Sequence, residues 1–508
     1  IVHAYEEWGD ACVERFRGIF AFGLWDTHQR RLLLARDRLG VKPLFYTIYG
    51  QQLAFASEPR ALLAISGYER TLHTPAALQF LQYSYTTGMD TVWKGIHRLP
   101  AANRLTYDAI HATLQRRQYW SLPEQVIPRS LTETMEQADE LLKSSVAEEL
   151  MGDVPVGVFL SGGVDSSLVS TYATQASPHM KSFCADFAGW DGSELDDSRC
   201  VSKHLQTAHY VCSIDRAHGP LSNPESSRQF FQTWDEPLGD PAIVPTWQLS
   251  RTTREQVTVA LSGDGGDELF AGYRPYAQVQ PNPRRKAAWF VERVRRRLGI
   301  GREWPEGCAN DCEFYQMLHC PSFSQTELTQ LFPDWRNDII QAEPGKLFAD
   351  RLDRDAAPFQ RWQRVDMETY LVDNNLARVD RASMAHGLEV RVPMLDHRLV
   401  EFAFSLPDEV CYRDGISKLA LRELTRKYLP TKVATKRKQG FSFPLDRVIS
   451  QDDMKATIRT GDLVRHGILN LAAFDRWVAG PNQGSIQMKL WLIYVLEQWA
   501  ANWWLKCQ

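Results

Sequence analysis

A short apolar run, Val154-Pro-Val-Gly-Val-Phe-Leu160, breaks off at Ser161-Gly-Gly-Val-Asp-Ser-Ser167 and resumes as Leu168-Val-Ser-Thr-Tyr172. The β-branched run predicts a buried strand, and the glycine pair a tight turn. The hydroxyl and carboxylate side chains that follow suit a helix start. A strand, a glycine turn and a helix N-terminus make an anion cradle, because glycine lets backbone approach a ligand closely. The free N–H groups and the helix dipole then favour phosphate. The Gly-Lys-Ser/Thr ending of the common P-loop is missing, so this cradle is of another kind. A lone Gly-Gly pair would be a structural turn; the whole Ser161–Ser167 string behind a strand predicts a nucleotide site.

The chain beyond it alternates. Residues Lys181–Phe187, His209–Cys212 and Gln256–Leu261 read as strands, and Ser198–Gln206 as a helix. Such alternation predicts a parallel sheet covered on both faces, with ligands at the carboxyl ends of its strands. A second glycine-rich string, Ser262-Gly-Asp-Gly-Gly-Asp-Glu-Leu-Phe-Ala-Gly-Tyr273, stands at one of those ends. Mg²⁺ takes hard oxygen ligands, usually one or two carboxylates together with phosphate oxygens. Asp165 and Asp267 each follow a core strand and are expected to meet over one phosphate group, although either alone would serve as a helix cap.

At 508 residues, two or more domains are expected. Before the Val154 strand, Ile19–Trp25, Arg31–Ala35 and Leu53–Ser57 read as strands, so residues 1 to about 120 form a β-rich unit. Pro123 and Pro128 mark a linker, and Ser130-Leu-Thr-Glu133 predicts a reciprocally capped helix whose apolar face is Leu131, Met135, Ala138, Leu142 and Val146. The basic stretch 284–297 reads as a solvated surface helix rather than a membrane-bound one, and Leu490–Trp499 as a core helix. A net charge of −4 gives no reason to expect a nucleic-acid partner. No apolar run reaches membrane-spanning length, and the start is not a signal peptide. Nine scattered cysteines fit reduced thiols and a cytoplasmic protein, and the spacing of Cys308, Cys312, His319 and Cys320 matches no common zinc pattern. The chain opens at Ile1 inside an expected helix, which implies processing or a missing upstream segment.

The Ser161–Ser167 string resembles the pyrophosphate-binding loop of the ATP-pyrophosphatase superfamily, which cleaves ATP to AMP and pyrophosphate while adenylating a substrate. Arg36-Asp-Arg-Leu-Gly-Val-Lys-Pro-Leu-Phe-Tyr46 and Phe55-Ala-Ser-Glu-Pro-Arg-Ala-Leu62 resemble the second half of a class II glutamine amidotransferase domain, an N-terminal-nucleophile hydrolase. Ile96–Pro100 and Gln118–Trp120 resemble its closing segment, with Ala101-Ala102 where a glycine usually follows the proline. The Ser262–Tyr273 string, Leu376–Asp396, Gly415–Arg422 and Lys438-Gln-Gly-Phe441 occur in the order of the asparagine synthetase B family. That resemblance spans essentially the whole chain. It implies a truncated glutaminase-type β-rich domain over 1–122, followed over 130–508 by a doubly wound, parallel-sheet α/β synthetase domain with a helical carboxyl-terminal part.

The resemblance also implies roles. Ser161, Gly162, Gly163, Asp165, Ser166 and Ser167 would hold the phosphates of ATP, with Asp165 and Asp267 on Mg²⁺. Leu160 and Ala185 would border the adenosine, with Ser262 and Gly263 holding it through backbone contacts. Asp264 matches an acidic position tied to formation of β-aspartyl-AMP and attack by ammonia, and Lys418 a lysine that stabilises charge at the reacting centre. Arg391 and Asp396 would be structural supports. The implied reaction amidates aspartate to asparagine; the substrates are small molecules (aspartate, ATP, ammonia or glutamine), and a homodimer is compatible with the family. Val372-Asp-Asn-Asn375 and Arg378 depart from the family's Pro-Asp-Asp run and lysine, so a ligase acting on another carboxylate is the nearest rival, ahead of a nucleotide-binding protein without turnover. An N-terminal cysteine serves class II glutaminases as nucleophile. Here residue 1 is Ile1 and Cys12 lies within an expected helix, so the chain as given is expected to use ammonia rather than glutamine.

Overall fold

The computed structural model describes the chain apart from residues 51, 188, 191, 218, 274–275, 277–322, 344, 353–357, 438–443, 481–482 and 506–508. The basic stretch 284–297, the Cys308–Cys320 cluster and the Lys438–Phe441 string therefore lie outside the described residues.

The amino-terminal part carries two antiparallel sheets. β1 (Ala21–Asp26), β2 (Arg31–Arg36), β6 (Asn103–Asp108) and β7 (Thr113–Gln118) form one in that order, and β4 (Gln52–Ala56), β3 (Phe45–Tyr49) and β5 (Ile96–Arg98) the other. Asp37, which is buried, fixes the crossing from β2: its carboxylate accepts from the backbone N–H groups of Leu39, Val41 and Lys42 at 3.0–3.1 Å. Arg36 closes the same turn by donating to the carbonyls of Gly40, Lys42 and Leu99. Between the sheets' strands runs a helix that the strand-dominated sequence pattern hid, Thr74–Tyr83, with Ala76, Ala77, Leu78, Phe80 and Leu81 buried. Cys12 sits in a 3₁₀ turn, Gly9–Arg15, and is fully buried.

The helix Leu131–Glu149 carries the chain into the second sheet. Its start is the expected reciprocal cap: Glu133 N–H donates to Ser130 Oγ at 3.2 Å and Ser130 N–H to Glu133 Oε2 at 2.8 Å. Ala138, Leu142 and Val146 face the core. The second sheet has five parallel strands in the order β10 (Ala208–Ser213), β9 (Lys181–Asp186), β8 (Val156–Phe159), β11 (Val259–Leu261) and β12 (Glu389–Arg391). Adjacent residues alternate between its faces, as the pleat requires. Val158 and Leu261 join a core with Leu168 and Val169 of the helix Val164–Ala176, whereas Phe183, Ala260 and Val390 pack with Leu249 of the helix Ile243–Arg254. β11 is shorter than expected, because Val257 N–H still bonds back to Thr253 at the end of that helix.

The order fixes where a ligand can sit. From β8 the chain builds outward through β9 to β10, then returns to the other side of β8 to lay down β11. The connections leaving β8 and β11 therefore diverge, and a crevice opens at their carboxyl ends. Both glycine-rich strings emerge there.

Candidate active site

The two strings touch backbone to backbone. A Cβ built on Gly263 would lie 2.7 Å from Ser166 N, and one on Gly266 would lie 2.6 Å from Asp165 Cγ and Oδ1. Real Cβ atoms do not come that close, so only glycine lets the Ser262–Tyr273 string pack against the start of the helix Val164–Ala176. Gly272 faces the same spot, where a Cβ would run into Asp267 and the Lys418 stem.

Lys418 completes this corner. It arrives from the far end of the sequence as the residue before the helix Leu419–Tyr428, in a left-handed conformation (φ 55°, ψ 38°), and is 3% exposed. A side chain with a Cβ tolerates that conformation at a cost, which the surroundings must offset. Its Nζ donates to Asp165 Oδ2 and lies 2.7 Å from Asp267 Oδ1. Two carboxylates thus converge on one cation. Asp165 Oδ1 is buried with no hydrogen-bond partner, which leaves a hard oxygen free for a divalent ion. The residues fit Mg²⁺ in that sense. Among the described residues no group of three His, Cys, Asp or Glu side chains forms a protein-only metal cage.

Around this corner lies a cleft of about 230 Å³. It brings together most of the residues expected from sequence: Leu160, Ser161, Gly163, Asp165, Ser166, Ala185, Ser262, Gly263, Asp264, Asp267 and Lys418 all line it. Its apolar end is closed by Phe159, Phe183 and Leu249, and its polar end by the charged groups. The loop is held by its own hydroxyls: Ser161 N–H donates to Ser166 Oγ at 3.2 Å, and the two Oγ atoms are 2.9 Å apart. Ser262 Oγ donates to Asp264 Oδ2 at 2.7 Å and aims that carboxylate.

Two expected residues do not line the cleft. Gly162 (φ 72°) turns its open side to the helix Leu195–Leu205, where a Cβ would lie 2.5 Å from the Asp197 carbonyl carbon. Ser167 is fully buried behind the loop. Conversely, Arg422, Lys436, Arg437 and Glu194 line the cleft without having been singled out. Arg422 stands inside the Gly415–Arg422 string, which was the available signal. It ties two segments together, donating to Ser417 O at 2.8 Å and to the carbonyls of Ala434 and Lys436 at 2.6 and 2.8 Å. Lys436 Nζ pairs with Glu194 and Asp197, both at 3.0 Å. Arg391 and Asp396 are structural. Arg391 donates to the carbonyls of Glu149 and Met151, and Asp396 caps the helix His397–Phe404.

Glu268, beside Asp267 in sequence, is buried and accepts from the Tyr273 hydroxyl at 2.7 Å and from Asn375 Nδ2 at 3.1 Å. Burial, reinforced by the Asp267 charge, pushes its carboxyl up to about 8, so it is protonated at neutral pH. Arg378 borders the cleft, and its Nη1 pairs with Asp240 Oδ2 at 2.8 Å. The Cys12 thiol is held above its ordinary value by burial, the opposite of what a nucleophile needs.

The chain is also similar to known proteins along most of its length. The family model described as "Asparagine synthase" matches residues 137–506, and that described as "Glutamine amidotransferase domain" matches residues 1–120. A Mycobacterium bovis protein is 29% identical over 99% of this chain and 79% of its own length. "Asparagine synthetase [glutamine-hydrolyzing] 1" of Bacillus subtilis is 26% identical over 88% of this chain and 71% of its own, and the same organism's "Asparagine synthetase [glutamine-hydrolyzing] 3" is 28% identical over 87% and 70%.

Proposed function

Because the chain belongs to the asparagine synthase family, we propose that its cleft amidates aspartate at the expense of ATP, giving asparagine, AMP and pyrophosphate. The observation that carries this reading is the convergence of the Ser161–Ser166 loop, the Asp165–Asp267 pair and Lys418 in one crevice at the switch point of the sheet.

The apolar end takes the adenosine, between Leu160 and Ala185, and the loop takes the phosphates. Asp165 and Asp267 would hold Mg²⁺, which when bound neutralises phosphate charge and so eases departure of pyrophosphate. An oxygen of the aspartate β-carboxylate attacks the α-phosphorus; the bond from that phosphorus to the bridging oxygen breaks, and β-aspartyl-AMP forms. Ammonia then adds to the acyl carbon, loses a proton, and AMP leaves. Lys418 supplies fixed positive charge where both steps accumulate negative charge, and it is already desolvated, so little reorganisation is required. Asp264, aimed by Ser262, is the carboxylate placed to take the ammonia proton.

The test is product analysis with labelled ATP, aspartate and ammonium. AMP and pyrophosphate should form in step with asparagine, require Mg²⁺, and be lost in Asp165→Asn and Asp267→Asn. ADP and orthophosphate as products would place the cleavage at the wrong phosphate and end the reading.

A further inference from the structure

Three consecutive residues of one turn hold three separate parts of the molecule. Residues Tyr370–Leu376 form a π-helical turn, a geometry that is rare, less stable than an α-helix, and common at functional sites. Asp373, 7% exposed, reaches the amino-terminal domain: it accepts from Thr87 Oγ1 at 2.8 Å, Gly88 N–H at 3.1 Å and Arg98 Nη1 at 3.0 Å. Arg98 stands at the end of β5, and its other arm donates to Glu236 at 3.0 Å and to Thr86 Oγ1 at 3.0 Å. Asn374 donates to Asp240 Oδ2 at 3.3 Å, the same oxygen that pairs with Arg378. Asn375 donates to Glu268, the neighbour of Asp267. The turn is also pressed from outside: a Cβ on Gly40, in the Arg36–Lys42 turn, would lie 3.0 Å from Val372 Cγ1.

We propose that Arg98 of the amino-terminal domain is a positioning residue for the synthetase cleft. Through Asp373 it holds the Tyr370–Leu376 turn in its π form, and the turn in turn sets Arg378 where it anchors the carboxylate of the amino-acid acceptor. The inference rests on the proposed function for the identity of that acceptor. A guanidinium recognises a carboxylate by parallel N–H bonds, so its placement governs affinity more sharply than a point charge would. A π turn persists only where outside partners over-determine it. Loss of the Arg98 bond leaves Asp373 with only its Thr87 and Gly88 partners, the turn relaxes toward α, and Asn374 carries Asp240 and Arg378 out of register. The glycine contacts that build the phosphate corner lie between other segments, and Asn375 reaches only Glu268, which does not line the cleft, so the Ser161–Ser166 loop keeps its shape. The amino-terminal domain therefore has a role in the synthetase reaction that is independent of any glutamine chemistry.

The experiment is aspartate-dependent ATP–pyrophosphate exchange on the full chain, which involves no nitrogen donor. For Arg98→Met, KM for aspartate should rise by about 10-fold or more, a displacement of about an ångström being enough for such losses, while KM for ATP stays within about twofold. Arg98→Lys should recover most of the aspartate affinity, and Arg98→Met/Asp373→Asn should be no worse than the poorer single variant, since both act on one contact. Equal rises in both KM values, or an unmoved aspartate KM with only a lower melting temperature, would reduce Arg98 to a packing role. Should Arg98→Met fail to fold, Asp373→Asn must still raise KM for aspartate and not that for ATP, and no such split overturns the proposal. A wild-type chain without aspartate-dependent exchange overturns the proposed function and this inference with it; an exchanging wild type with unmoved variants overturns this inference alone.

Discussion

Replacing Lys418 by methionine keeps the stem and deletes the charge, and the structure predicts opposite effects on two measurable quantities. The Lys418 ammonium bridges Asp165 and Asp267, the same carboxylates proposed for Mg²⁺. Without it the two anions repel each other and lose their shared counter-charge. Removing one member of a buried pair costs about 3–5 kcal/mol; since the aspartate side chains retain 14% and 16% exposure, the lower end applies, about 3 kcal/mol of stability without Mg²⁺. Added Mg²⁺ should recover most of that loss. The Mg²⁺ concentration for half-maximal activity should therefore fall several-fold, because the ion no longer shares the two carboxylates with a like charge. Turnover moves the other way: loss of one preorganised charge at the reacting centre lowers kcat by about 100–1,000-fold, with KM for ATP little changed. Thermal melts with and without Mg²⁺, together with initial rates across a Mg²⁺ titration, read all of this on one preparation. A near-normal kcat, or a raised Mg²⁺ requirement, would refute the argument that Lys418 stands between the two carboxylates as their counter-charge.

Two further outcomes follow from packing and burial. Gly266→Ala puts a methyl group against Asp165, so it should lower exchange activity by about 10-fold or more while leaving far-UV circular dichroism unchanged; full activity would mean the strings are not packed as described. Glu268 is one pH-sensitive element, beside Glu149 and Asp408, whose carboxyls burial also raises: its folded value of about 8 lies above the 4.5 of an unperturbed glutamate, so the folded chain binds the extra proton. Stability from this group is fully present below about 4.5, falls as pH rises from there to about 8, and is level above. Glu268→Gln keeps an acceptor for Tyr273 and Asn375, and should flatten the pH dependence of urea midpoints across that window; an unchanged slope would mean the carboxyl is ionised in place.

The parts of the site visible in the sequence are those built from contiguous chain. The Ser161–Ser167 string showed itself because a strand, its glycine turn and the helix start are neighbours in sequence, and the Ser130–Glu133 cap for the same reason. Lys418 could be singled out only through family resemblance, since its two carboxylate partners lie far up the chain and its left-handed backbone leaves no signature in a non-glycine residue. Ser167 and Gly162 mislead because the helix start has two sides: one faces the cleft, while the other packs against the rest of the fold. The helix Thr74–Tyr83 was hidden because its face is built of alanine, leucine and phenylalanine in a region dominated by strand-like runs. The role of Val372–Asn375 was visible only as a departure; the partners of Asp373 come from another domain, and no local pattern encodes them.

The strand order has a consequence for a chain being made from its amino end. β8 is laid down by residue 159, but its neighbour β11 ends at 261 and β12, which covers β11, at 391. A nascent chain that has emerged only as far as β10 can pair three strands and present the phosphate loop, yet half of the crevice wall and one of the two aspartates do not exist. Lys418 comes later still. The cleft cannot act on ATP until Lys418 is outside the ribosome, so an unfinished chain holds a loop without a counter-charge and does not spend nucleotide while it folds.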